Sequence, residues 1–162
     1  MLSKVSQFVV AFIAMLLSTA AAAQAASSVV GTWLFVSSVR DSDTGKIDTY
    51  GAGAEGRMTL DSGGRYSITI IGANLPKFAS GAVFRGTTEE NAAVLGRSNA
   101  HFGTYSVDEA GKAITFRTER GTFPNGDGTE QKRSFTLIGD ELRYVIPIGD
   151  GRTSVVTWRR AN

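Results

Sequence analysis

The chain has 162 residues, 42% of them hydrophobic, with 19 Gly, 3 Pro and no Cys. That suits one globular domain rich in tight turns. It excludes a disulfide frame, a thiol nucleophile and a thiolate metal site. The formal charge is +2; the 17 basic residues less Lys4, which lies in the leader, leave 16 against 15 acids. The bases are scattered and do not alternate with aromatics, so no electrostatic footprint for nucleic acid or an anionic membrane is present.

Residues 1–25 have the layout of a signal peptide. Lys4 supplies the positive start, Phe8 to Leu17 the apolar region, and Ala23-Gln24-Ala25 an Ala-x-Ala cleavage pattern. Ala21-Ala22-Ala23 offers a second cut two residues earlier. The apolar run is short for a membrane span, and no cysteine stands ready for lipidation. The expectation is a mature domain, residues 26–162, in the periplasm or outside the cell, with no stable membrane insertion.

Gly31-Thr32-Trp33-Leu34-Phe35-Val36 opens the mature chain as an aromatic and β-branched strand. Asp41 to Lys46 reads as a turn, and Ile47 to Tyr50 as a short strand at most. Gly56 to Leu60 and Arg65 to Ile70 alternate at period two around Asp61-Ser62-Gly63-Gly64, the clearest hairpin in the chain. The span from Gly72 to Asn99 breaks the rhythm. Within it, Thr87 to Leu95 has helix signals, with Thr87 or Thr88 as N-cap and Glu89 and Glu90 in the first turn.

Strand signals then return quickly. His101 to Val107 leads to a turn at Asp108-Glu109-Ala110-Gly111; Ala113 to Thr118 follows, then the loop from Phe123 to Gly128. Gln131 to Ile138 and Glu141 to Ile148 flank Gly139-Asp140, and Arg152 to Arg160 closes the chain after Gly149-Asp150-Gly151. About eight short strands joined by tight turns predict an all-β, antiparallel up-and-down barrel, with one helix-containing insertion after the third strand.

An ordered set of motifs resembles the bacterial lipocalin-like domain proteins, within the lipocalin and calycin style of barrel. Gly31-Thr32-Trp33 and Phe102-Gly103-Thr104-Tyr105-Ser106-Val107-Asp108 carry it first. Pro124-Asn125, Gly128-Thr129-Glu130-Gln131, Arg133-x-Phe135, Gly139-Asp140-Glu141-Leu142 and Trp158-Arg159 complete it. The resemblance runs from about Val30 to Arg160. It implies a container closed at one end by Gly31, Trp33, Trp158 and Arg159, with Arg159 or Arg160 lying across the Trp33 indole. This chain has Thr115-Phe116-Arg117 where members of the family often carry histidine, so no histidine chemistry transfers.

The period-two phase then nominates an interior. Tyr66, Ile68, Tyr105, Phe116, Arg133 and Tyr144 are expected to line a ligand cavity, with Phe78 and Phe84 of the insertion as a lid. An insertion packed on the outer wall is the alternative to a lid. Arg133 shares a face with Phe135, so a buried guanidinium is expected to find a partner in Glu119, Glu130 or the acid group of a ligand. His101, the lone histidine, reads as a hydrogen-bonded wall residue. No second histidine builds a metal site with it; Asp41-Ser42-Asp43-Thr44-Gly45 lacks the closing glutamate of a calcium loop. No nucleophile elbow or phosphate loop occurs. These features call for no cofactor and no metal. They point to a secreted or periplasmic barrel that binds a small hydrophobic or amphipathic molecule. The alternatives are a lipid-type isomerase or cyclase using the same cavity, or a filled-core barrel acting as an interaction module.

Overall fold

The structure is a computed structural model, and it describes residues 28–108 and 112–162. The expected leader and the Glu109-Ala110-Gly111 part of the expected turn lie outside the described residues. Nine strands follow in order: β1 (Gly31–Ser42), β2 (Gly45–Asp48), β3 (Glu55–Leu60), β4 (Arg65–Ile71), β5 (Ser98–Val107), β6 (Ala113–Gly121), β7 (Glu130–Ile138), β8 (Glu141–Gly149) and β9 (Arg152–Arg160). One helix, α1 (Thr88–Gly96), stands between β4 and β5.

Neighbours in sequence pair antiparallel from β3 to β9, and β1 pairs with both β3 and β9. Eight strands therefore close a barrel, and closure leaves no wall edge unpaired along the seam. β2 is an extra hairpin arm on the far end of β1, paired through Val39↔Asp48 to Ser42↔Gly45. It runs over 45–48 rather than 47–50, because Asp48 Oδ1 accepts from the backbone N–H groups of Tyr50 and Gly51, each at 3.1 Å, and turns the chain.

The turn chemistry is local. Asp61 Oδ1 accepts from Arg65 N at 2.8 Å, and its carbonyl accepts from Gly64 N at 3.2 Å, which sets the β3–β4 hairpin. The β5–β6 pairing shifts register between Phe102 and Gly103. At Gly103 a Cβ would collide with the Arg117 carbonyl oxygen, so only glycine allows this close approach.

One end of the barrel is filled and sealed. Trp33, Met58, Leu60, Ile114, Leu142 and Trp158 are buried there together with Val29 from the entering chain. Trp33 Nε1 donates to the Val29 carbonyl at 2.9 Å. The Arg160 guanidinium lies 4.2 Å from the Trp33 ring centroid and donates to the carbonyls of Val30 at 2.9 Å and Ser28 at 2.6 Å. Gly31, at φ +141°, leaves the room for it: a Cβ there would meet Arg160 Nη1 at 2.8 Å. The cover is thus Arg160. Arg159, expected as a closing residue, is exposed on the outer face, because strand alternation sends it away from Trp158 and Arg160.

The insertion before β5 folds on itself. Thr87 and Glu90 form a capping box, and Glu90 Oε1 also accepts from Ala79 N at 2.9 Å. The helix buries none of its residues. No helix among the described residues is long and apolar enough to cross a membrane.

Candidate functional site

The half of the barrel away from Trp33 is not filled. Two connected hollows occupy it, of about 190 Å³ and about 370 Å³. Thr49, Tyr50, Asn99, His101, Arg133 and Ile146 border both. The smaller lobe continues along Ile68, Ile70, Tyr144 and Val156 to Arg40 and Ile148. The larger opens past Ser98, Thr118 and Gln131 toward Phe123 and Gly126. A wider hollow of about 830 Å³ lies on the outside wall, where β1 parts from β3 beyond Leu34 and Arg57. Its charged lining residues, Glu55, Arg57 and Arg159, are all exposed to solvent, so it lacks the convergent buried polar groups of the interior.

Arg133 is the chemical centre of the interior. β7 turns it inward opposite Ile114 of β6, and its residue surface is only 6% exposed. Its guanidinium carbon lies 4.8 Å from the ring centroids of both Phe116 and Tyr144. Nη2 donates to Gln131 Oε1 at 2.6 Å, while Nε is buried with no hydrogen-bond partner. The two expected acid partners are engaged elsewhere: Glu119 with Arg65 at 3.5 Å and Glu130 with Arg117 at 3.5 Å. Both sit on the wet face of their strands, out of phase with Arg133. Among the described residues no carboxylate pairs with this buried cation. That is an unusual state, since a desolvated charge is costly without a counter-charge.

Beside it stands a hydrogen-bonded chain of neutral groups. Tyr66 OH is 2.9 Å from His101 Nδ1 and 3.0 Å from Thr118 Oγ1. Burial, and then the Arg133 charge, push the His101 pKa down to about 4. The imidazole is therefore neutral at ordinary pH. The neutral ring carries one N–H and one acceptor nitrogen, and Tyr66 OH and Thr118 Oγ1 can each donate or accept, so the chain is satisfied without a charge. Burial also raises the pKa of Tyr50 and Tyr66, which keeps both phenols protonated. Across the smaller lobe Ser38 Oγ and Ser154 Oγ lie 3.3 Å apart. Around Arg133 the interior thus offers a buried positive charge, neutral hydrogen-bonding groups and apolar walls.

The residues nominated from sequence separate into layers. Ile68, Arg133 and Tyr144 border the smaller lobe. Tyr66 and Phe116 lie just beneath the hollow: their rings are 4.8 Å apart, and they support His101 and Arg133 rather than line the space. Tyr105 lies deeper, toward the sealed end, where its OH donates to the Asp61 carbonyl at 2.7 Å and ties down the β3–β4 turn. It is two pleats from His101 on the same strand face, so it does not join Arg133 in a polar cluster. Phe78 and Phe84 border neither hollow. Phe84 is 97% exposed, and the ring of Phe78 packs at Gly86 of its own segment, so the expected lid is not formed.

Other lining residues were not nominated. Ser38 faces inward, and the exposed Arg40 follows it at the rim of the smaller lobe, because β1 shifts register between Phe35 and Ser37, which turns Val36 outward and resets the alternation. Tyr50 returns to the interior through the Asp48 turn and meets Phe35 edge-on at 5.7 Å. Asn99 belongs to the first turn of β5, which starts earlier than its apolar pattern does. The only readable signal was the phenol of Tyr50 amid glycines. No group of three His, Asp or Glu placed to hold a metal occurs among the described residues.

Fold and interior define a closed eight-stranded antiparallel barrel, packed at one end and hollow at the other. The chain belongs to the lipocalin-like domain family, whose model matches residues 30–161. No curated relative matches it. Among solved structures it is similar to a redesigned β-barrel at 15% identity and a TM-score of 0.44, covering 85% of this chain and 96% of that one. A de novo designed fluorescence-activating β-barrel gives 16% identity and a TM-score of 0.42 over 85% and 97%. A mutant of the fluorescent protein UnaG gives 16% and 0.38 over 83% and 96%.

Proposed function

We propose that this protein is a carrier or receptor for a small amphipathic anion, held by its acid group at Arg133 inside the barrel. The observation that carries the reading is the buried guanidinium without a carboxylate partner, with its Nε unsatisfied at the border of a hollow. A ligand carboxylate supplies the missing counter-charge and acceptor together. Tyr50, Asn99 and the neutral His101 add hydrogen bonds, and Ile68, Ile70, Ile146 and Val156 receive the apolar part. In the leader reading, the 26–162 domain does this work in the periplasm or outside the cell.

The test compares a medium-chain fatty acid with the alcohol of the same chain by calorimetry. The acid binds the wild-type chain at least about tenfold tighter, a difference near 1.4 kcal/mol. Arg133→Met removes that preference. Equal affinities for acid and alcohol in the wild-type chain contradict the reading.

A further inference from the structure

Arg133 is not the only cation on the smaller lobe. Arg40 borders the same hollow at its solvent end. The β1 register shift puts Arg40 in phase with Ser38, and it pairs across the ladder with Ser154, whose side chain is buried on the inner side. Arg133 and Arg40 therefore stand at the deep and shallow ends of one lobe. The wall they share carries the apolar side chains Ile68, Ile70, Ile146, Ile148 and Val156, with Ser38 and Ser154 beside Arg40.

The acids around Arg40 are committed elsewhere. The Asp41 carboxylate accepts from Thr153 N at 2.9 Å and Thr153 Oγ1 at 3.0 Å. Asp43 and Asp150 both pair with Arg152, at 3.0 and 3.3 Å. Asp48 accepts from the backbone of Tyr50 and Gly51. Among the described residues Arg40, like Arg133, has no carboxylate in ion-pair contact.

We infer that the smaller lobe selects a ligand with two anionic groups joined by an apolar span, an α,ω-dicarboxylate-like molecule, with Arg133 holding the inner group and Arg40 the outer. This rests on the proposed carrier reading. The lobe of about 190 Å³ holds the equivalent of only about six waters, so the span is short. The outer pair is at the rim, so its contribution is modest and salt-sensitive, whereas the inner pair is shielded.

The experiment is calorimetry with α,ω-dicarboxylates of increasing chain length, each against the monocarboxylate of the same carbon count. At one length the wild-type chain binds the diacid roughly fivefold tighter than the monoacid, and high salt shrinks the advantage. Arg40→Gln lowers diacid affinity to that of the monoacid and so abolishes the advantage; Arg40→Glu reverses it. Equal binding of diacid and monoacid at every length overturns the second anionic group and leaves the carrier reading standing. An Arg40→Gln variant that weakens both ligands alike also overturns it. Failure of every acid to bind overturns both.

Discussion

Arg133 Nη2 donates to Gln131 Oε1 at 2.6 Å, so a neutral amide two residues back on β7 holds the buried Arg133 guanidinium inside the barrel. An amide is a weaker partner for a cation than a carboxylate. The contact orients the guanidinium without neutralising it, and Nε stays unsatisfied.

That arrangement predicts a separation of stability from binding at this residue. Arg133→Met removes a desolvated charge along with two ring contacts at 4.8 Å. The ring contacts contribute roughly 0.5–2 kcal/mol each, and the desolvation cost is of several kcal/mol. The two nearly offset, so the melting temperature of the variant is expected to stay level or rise. A thermal melt beside an acid-binding titration checks this. A strongly destabilised variant shows that Arg133 is structural.

His101 gives a pH dependence of defined sign. Its folded pKa, about 4, lies below the ordinary imidazole value of 6.5, so the unfolded chain binds more protons between these limits. Its neutral, buried state therefore contributes stability that is fully present above about pH 6.5 and lost as pH falls toward 4. The contribution is of order 2–3 kcal/mol. Denaturant melts from pH 7.5 down to 4.5 on wild-type and His101→Gln chains measure it: the wild-type loses more stability over that range. An anion bound at Arg133 offsets the neighbouring positive charge and raises the His101 pKa, which imidazole NMR titration detects.

At the sealed end Arg160 and Arg159 are predicted to behave oppositely. Arg160→Ala removes the stacking on Trp33 and the hydrogen bonds to Val30 and Ser28. The expected cost is about 2–3 kcal/mol. Arg159→Ala, on the exposed face, changes stability by less than about 0.5 kcal/mol. Comparable losses in both variants would show that the cover over Trp33 is misassigned.

Gly103→Ala tests the β5–β6 register shift, where Glu119 of β6 is the extra residue. The new Cβ collides with the Arg117 carbonyl, which belongs to a paired strand backbone and cannot yield without breaking the ladder. A loss of about 2–4 kcal/mol is expected, the scale of an overpacked backbone contact. Gly96→Ala, with open space around the new carbon and a place at the end of α1, serves as the tolerant comparison.

The wall strands were legible because alternation and tight turns are local properties. The 56–70 hairpin, the capped helix and the three closing strands all follow from residues within a few positions of one another. The inward direction of Arg133 followed from Phe135 by period two. The site's other half was hidden by two irregularities that single-strand periodicity does not carry. The Phe35/Ser37 register shift carries Arg40 to the rim of the hollow and Ser38 to the interior. The Asp48 turn does the same for Tyr50. Depth was likewise unreadable: Tyr105 and His101 share a face, yet one lies toward the sealed end and the other at the hollow. The exposed Phe84 shows the limit of hydrophobicity as a guide, since its segment is held by Glu90 rather than by burial.

An acid group seated on Arg133 would be sensed first by the unsatisfied Nε–H of that residue. Its resonance, assigned by comparison with Arg133→Lys, is followed by NMR while a dicarboxylate or fatty acid is titrated in. A saturable downfield shift and slower solvent exchange are expected as the buried donor gains a carboxylate acceptor. Saturable binding of the acid with that resonance unmoved would contradict the seating on Arg133.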